Sequence, residues 1–224
     1  MPKIIIMENT ATYNSLEALI HHHASGDSTS ELVGQLASFL FDESLPFLER
    51  SEKLDAWVLV HPNQEVLADV LFDILMVHYL SEEMHEPDYF DSQEWNDIEN
   101  KTLDRGSEML NLFLYLSEAK ETEIAPHLDD FLTEFLLVGE DEFQDEYRIY
   151  ESLIVNEDIL DADLAGIRDV QKTVKTDTGL QEYFVPLVFF FQYAEGIADK
   201  GEWETGLTPF ESAVLHAMIA FKEN

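Results

Sequence analysis

The sequence predicts an all-α protein, a helical bundle of about 8–10 helices. Three observations carry that prediction: apolar residues recur at i, i+3 and i+4 through most of the chain, helix-start signals precede several of those runs, and strand signals are thin. The 224 residues are 46% hydrophobic and include 15 Phe, 8 Tyr and 3 Trp, which is ample for a core despite a formal net charge of −35.

Taken in order, Ile4 to Met7 reads as either a short edge strand or an ordered tail, and helices follow over 15–24, 31–41 and 54–60. From 64 to 80, Val66, Leu67, Val70, Leu71, Ile74, Leu75 and Val77 keep helical spacing, with Glu65, Asp69 and Asp73 expected as an acidic outer stripe. A helix over 95–117 should break near Gly106. Leu128, Phe131, Leu132, Phe135 and Leu136 repeat the apolar pattern, and helices are predicted again over 142–154 and 164–174. The run Val185-Pro186-Leu187-Val188-Phe189-Phe190-Phe191 has a proline that a central strand would not accept, so it reads as a kinked, fully buried helix. Phe210, Val214, Ala217, Met218 and Phe221 mark the last helix, opened by a Thr208-Pro209-Phe210-Glu211 capping box. Ser28 to Glu31, Asp91 to Glu94 and Thr178 to Gln181 share that spacing.

The chain reads as a single all-α domain, 1–224. Its halves, 28–120 and 126–224, either form a pseudo-repeat of two three-helix units or look alike only because amphipathic helices do.

Charge excludes more than it identifies. Twelve Lys and Arg stand against 47 Asp and Glu, with no segregated basic patch, so direct nucleic-acid binding is not expected. The absence of cysteine removes disulfides, thiolate zinc sites and cysteine nucleophiles, and fits a reducing cytoplasm. The amino-terminal apolar run is too short for a secretory signal, and residues 183–193 fall well below the roughly 20 that a membrane-spanning helix requires. A soluble, cytoplasmic protein is therefore expected. Phosphate-binding glycine loops, zinc-protease, nucleophile-elbow and calcium-loop motifs are missing, so enzyme is the weaker class and no cofactor is expected.

Residues 61–163 carry 29 of the 47 acids and only 4 bases. The sharpest concentration is Glu140, Asp141, Glu142, Phe143, Asp145, Glu146 and Tyr147, where carboxylates surround two aromatics. That pattern suits a surface that steers and holds a basic protein, as an inhibitor or immunity-type neutraliser mimicking nucleic-acid phosphates would. The plainer reading is a solvated acidic surface. Oligomeric state is left open, and self-association through exposed aromatics is a further alternative.

Histidines supply the remaining candidates. His78, Glu82 and His85 point within about 60° of one another if the 64–80 helix continues. Glu82-x-x-His85 has the spacing of carboxylate-bridged di-metal bundles but lacks the second copy that such sites use, so no metal is expected. A small metal-carboxylate enzyme is nevertheless the second functional reading. Within His21-His22-His23 only His23 continues the apolar stripe. His127 is expected to pair with Asp130 or Glu134, and His216 to be exposed.

Overall fold

The computed structural model describes residues 10–24, 29–84, 88–136, 146–156, 158–199 and 205–224, and within them all side chains but those of 134–136, 146–148 and 177. Among the described residues there are eleven α-helices and no strand. They are α1 (Ala11–His23), α2 (Thr29–Leu40), α3 (Phe47–Val60), α4 (Ala68–His78), α5 (Gln93–Thr102), α6 (Met109–Glu121), α7 (Leu128–Leu136), α8 (Glu146–Ile154), α9 (Leu164–Gln171), α10 (Phe184–Ala194) and α11 (Pro209–Glu223). No helix is long and apolar enough to cross a membrane among these residues. Ile4 to Met7 and Ser28 lie outside the described residues.

Two helices form the centre. Every residue from Val70 to His78 in α4 and from Phe184 to Gln192 in α10 is buried, the condition of a helix covered on all sides rather than along one stripe. Pro186 sits in the first turn of α10, where a missing N–H leaves no intrahelical bond unmade, so the mid-helix proline kink expected from sequence is not its role. Around them, α4 packs on α1, α3 and α6, and α10 on α9 and α11. The most extensive helix pairing joins α1 to α11, where the buried Ser15 hydroxyl donates to the Ala217 carbonyl at 3.0 Å. Buried side chains from both halves form one cluster, stitched by ring contacts such as Phe113 with Phe221 at 5.1 Å and Phe131 with Phe191 at 5.6 Å.

Helix ends follow local chemistry, with three corrections. Thr208 and Glu211 do form the capping box, and Arg168 pairs with Glu211 from α9. The cap of α5, however, is Ser92 rather than Asp91, its hydroxyl accepting from Trp95 N at 3.0 Å. Thr178 to Gln181 opens no α-helix: Gly179, at φ +72°, separates two short 3-10 turns. Asp73 is not on an outer stripe but fully buried, because the loop carrying Ser107 closes over it. The break near Gly106 is real, and the glycine is required: its φ is +87° and a Cβ would come within 2.7 Å of the Asp73 carboxylate.

Truncating a fully buried α10 ring, Phe190→Ala, is expected to cost about 3–5 kcal/mol in urea unfolding. Leu59→Ala, at a position 82% exposed, should stay within about 0.5 kcal/mol.

Candidate functional site

The site is built outward from a buried ion pair. At its carboxyl end α4 widens into a π-helical turn, Tyr79–Glu83, closed by Met84 N–H donating to the Tyr79 carbonyl at 3.1 Å. In an α-helix the residue four beyond His78 would share its face; in this wider turn the residue five beyond does so. Glu83 therefore turns inward and Glu82 is exposed. Glu83 takes a two-pronged contact from Arg50 of α3, at 2.5 and 2.8 Å, while Arg50, 1% exposed, also donates to the Leu40 carbonyl at 3.2 Å. The Thr12 hydroxyl lies 3.2 Å from His78 Nδ1, and Nε2 is 3.7 Å from Glu83. A Thr12 hydroxyl donating to Nδ1, with the ring proton on Nε2 facing Glu83, fits this pattern. Burial, then the nearby Arg50 charge, lowers the His78 pKa to about 4, so the imidazole is neutral at pH 7.

Aromatic side chains carry this rigidity to the surface. The Arg50 guanidinium lies 5.5 Å from the Tyr79 ring centre, and Phe47 packs on the same ring at 4.8 Å. The Tyr79 hydroxyl shares a hydrogen bond with that of Tyr89, on the short turn Tyr89–Asp91. Burial, the shared hydrogen bond and the charges of Glu94 and Glu83 push Tyr79 far above the usual phenol range. Burial and the same two carboxylates raise Tyr89. Tyr89 then meets Trp95 at 6.0 Å and Phe90 at 6.1 Å, and Phe90 and Trp95 stand edge to face at 5.1 Å. Phe90 is 59% exposed, a large ring left in water at the end of a chain of buried ones. Exposed Asp88, Asp91, Glu94, Asp97, Glu99 and Asp104 share this segment with a single lysine, Lys101.

This acid-rimmed aromatic cluster, residues 88–104, has the composition that singled out 139–147 but was missed there. The signal was legible in the sequence: three aromatics, Tyr89, Phe90 and Trp95, among closely spaced carboxylates. Of the predicted partner-binding residues, Glu140, Asp141, Glu142, Phe143 and Asp145 lie outside the described residues. Glu146 and Tyr147 belong to α8, with side chains outside them.

The histidine candidates separate. His78 is buried as expected, Glu82 faces solvent, and His85 lies outside the described residues. Among the described residues no three His, Cys, Asp or Glu side chains converge as a metal site. His127 lies 3.7 Å from Glu195, which also caps α7 by accepting from Leu128 N at 2.9 Å, while the side chain of Glu134, one of its two expected partners, lies outside the described residues. His216 is half-buried, not exposed, stacked on His22 with ring centres 3.5 Å apart. Partial burial, then the His216 and His21 charges, lower the His22 pKa to about 4.

A second buried carboxylate fixes the loop behind the cluster. Asp73 accepts from Ser107 N at 2.9 Å and Ser107 Oγ at 2.5 Å. Burial raises its pKa well above the usual range, against those two hydrogen bonds. Arg105 of the same loop bonds Ser51 at 2.6 Å and Asp55 at 2.7 Å and lies 4.6 Å from the Phe72 ring centre. The loop that ends the acidic segment is thereby tied to α3 and α4.

Opposite pH signatures follow. His78, with its folded pKa depressed, contributes stability that is present above about pH 6.5 and is lost as pH falls towards 4, and NMR titration should place its midpoint near 4. Asp73, with its folded pKa raised, costs the fold nothing below the ordinary carboxylate range and progressively more as pH rises through the raised value. Asp73→Asn should therefore gain on wild type in urea unfolding between pH 5 and pH 8. Asp73→Ala, which strands the two Ser107 donors, should lose roughly 1–3 kcal/mol. Compared with protein-family models, with curated proteins and with solved structures, the chain matches none.

Proposed function

We propose that this chain is an acidic helical interaction protein that binds a basic protein partner through the aromatic cluster at 88–104. The observation that supports the reading is Phe90, a 59% exposed ring braced by Trp95 and Tyr89 and set among exposed carboxylates. Such an arrangement supplies both parts of a hot spot: an aromatic anchor whose position is fixed before binding, and a charged rim that speeds encounter and rejects acidic competitors. The net charge of −35 extends the attraction beyond contact distance at low salt.

The partner's chemistry is that of a Lys/Arg-rich surface. A nuclease or other nucleic-acid-binding protein offers one by necessity, and carboxylates spaced along a helix can stand where phosphates would. On this reading the chain acts as an inhibitor or immunity-type neutraliser. A cysteine-free chain suits the reducing cytoplasm, where such a partner would be met. The second acid-and-aromatic segment, Glu140, Asp141, Glu142, Phe143, Asp145, Glu146 and Tyr147, is proposed to bind a basic partner as well.

An arginine-rich peptide titrated into the full chain tests the reading through Trp95 fluorescence, with Trp95→Phe identifying the signal. Binding is expected to weaken about tenfold or more between roughly 20 and 300 mM salt. Phe90→Ala, and separately Asp91→Asn with Glu94→Gln, should weaken it about fivefold or more. Affinity unchanged in both variants would show that the peptide responds to overall charge alone and would remove the cluster from the proposal. Concentration-dependent light scattering that disappears in Phe90→Ala would instead identify a second copy of this chain as the occupant.

A further inference from the structure

We propose that the side chain which the 88–104 cluster takes from its basic partner is an arginine and not a lysine, its guanidinium lying against the exposed Phe90 ring while its fork meets the carboxylates beside that ring. The inference rests on the interaction reading above and narrows it from a sign of charge to one chemical group.

The fold shows twice how it holds a guanidinium. Arg50 sets its head 5.5 Å from the Tyr79 ring centre while its two terminal nitrogens reach the two oxygens of Glu83 at 2.5 and 2.8 Å. Arg105 repeats the arrangement, 4.6 Å from the Phe72 ring centre, with its terminal nitrogens 3.0 and 2.7 Å from the two oxygens of Asp55. The two sites share neither ring nor acid. In each, one aromatic face and one forked carboxylate act on the same planar cation. Lysines divide these roles: Lys53, Lys172 and Lys175 each meet an acid through their one nitrogen, and Lys222 lies 5.4 Å from the Tyr193 ring centre. An ammonium has no plane to lay on a ring and no fork to offer at the same time.

Phe90 supplies the aromatic half of this arrangement on the outside of the molecule. It is 59% exposed, backed by Trp95 edge to face at 5.1 Å and by Tyr89 at 6.1 Å. Its turn is closed by Asp91 N–H donating to the Asp88 carbonyl at 3.1 Å. Side chains three apart in such a tight turn eclipse one another, so Asp88 and Asp91 fall on one side of it with Phe90 between them in sequence. Burial raises the Tyr89 phenol and the Glu94 carboxylate, in the first turn of α5, adds to that rise, so Glu94 lies within electrostatic reach of the ring that backs Phe90. The net charge of −35 attracts lysine and arginine alike. Discrimination comes from the ring and the fork, and a guanidinium, more weakly hydrated than an ammonium, gives up water more readily to reach them.

Two labelled nonapeptides of equal charge, one all arginine and one all lysine, titrated into the full chain at about 150 mM salt and read by fluorescence anisotropy, test the assignment. The arginine peptide is expected to bind about fivefold or more tightly. A third peptide of dimethylated arginine, which keeps the charge and blocks the fork, should lose most of that advantage. Phe90→Leu, which keeps an apolar side chain and removes the π face, should bring the arginine-to-lysine ratio down to about twofold or less, with thermal melting checking that the variant folds. Equal affinity for the two peptides in wild type, both still weakened by Phe90→Ala, would overturn the arginine assignment and leave the interaction reading standing. A preference that persists in Phe90→Leu would overturn it as well, by moving the discrimination off this ring. Binding of neither peptide would remove the interaction reading and this inference together.

Discussion

The ion pair between Arg50 and Glu83 is the constraint on which the rest of the site depends. Arg50 is almost wholly buried, and a guanidinium withdrawn from water must be neutralised and hydrogen-bonded where it stands. A regular α-helix past His78 would leave Glu83 out of phase with it. The π-helical turn supplies the missing rotation and brings the carboxylate round, with His78 and Thr12 completing the polar interior. Tyr79 is the first residue of that turn, so the pair also determines where its hydroxyl points, and through Tyr89 where Phe90 and Trp95 stand. An exposed aromatic edge is thus indexed to a buried charge several side chains away.

Asp73 plays the corresponding part on the other side of α4. Its two bonds to Ser107 and the glycine that clears space for them hold the loop following α5, while Arg105 fastens the same loop to α3. The acidic segment is consequently tethered at both ends, at Tyr89 and at Ser107. Carboxylates repel one another along such a segment, and tethering keeps that repulsion from pulling the segment off the core. The charge stays on the outside, where a cationic surface can meet it.

The helices themselves were largely legible in the sequence, because burial of one apolar stripe leaves a periodic record: α7 falls on the predicted residues, and the break at Gly106 is where the glycine stands. What the sequence hid was set by partners distant along the chain. Glu82 and Glu83 are chemically equivalent neighbours, and the choice between them was made by an arginine 33 residues away from Glu83. Asp73 repeats every third or fourth position with other acids and so resembles a surface residue; Ser107, 34 residues on, makes it an interior one. His127 meets Glu195, an acid 68 residues further along that no local pattern pointed to. The aromatic cluster is a different case, since its composition was visible, but nothing local said that Tyr89 would be tied inward while Phe90 was left in water.

The pairing of α1 with α11 bears on how the molecule reaches its native state. Ser15 and Ala217 are separated by 202 residues, so this contact closes the longest loop recorded in the hydrogen bonding of the described residues. Contacts of that span are slow to find and come late. During synthesis the side of α1 that packs on α11 must wait for α11 to emerge, exposed to solvent or to a chaperone in the meantime. A chain held short of α11 leaves that face of α1 without the cover that the Ser15–Ala217 contact brings.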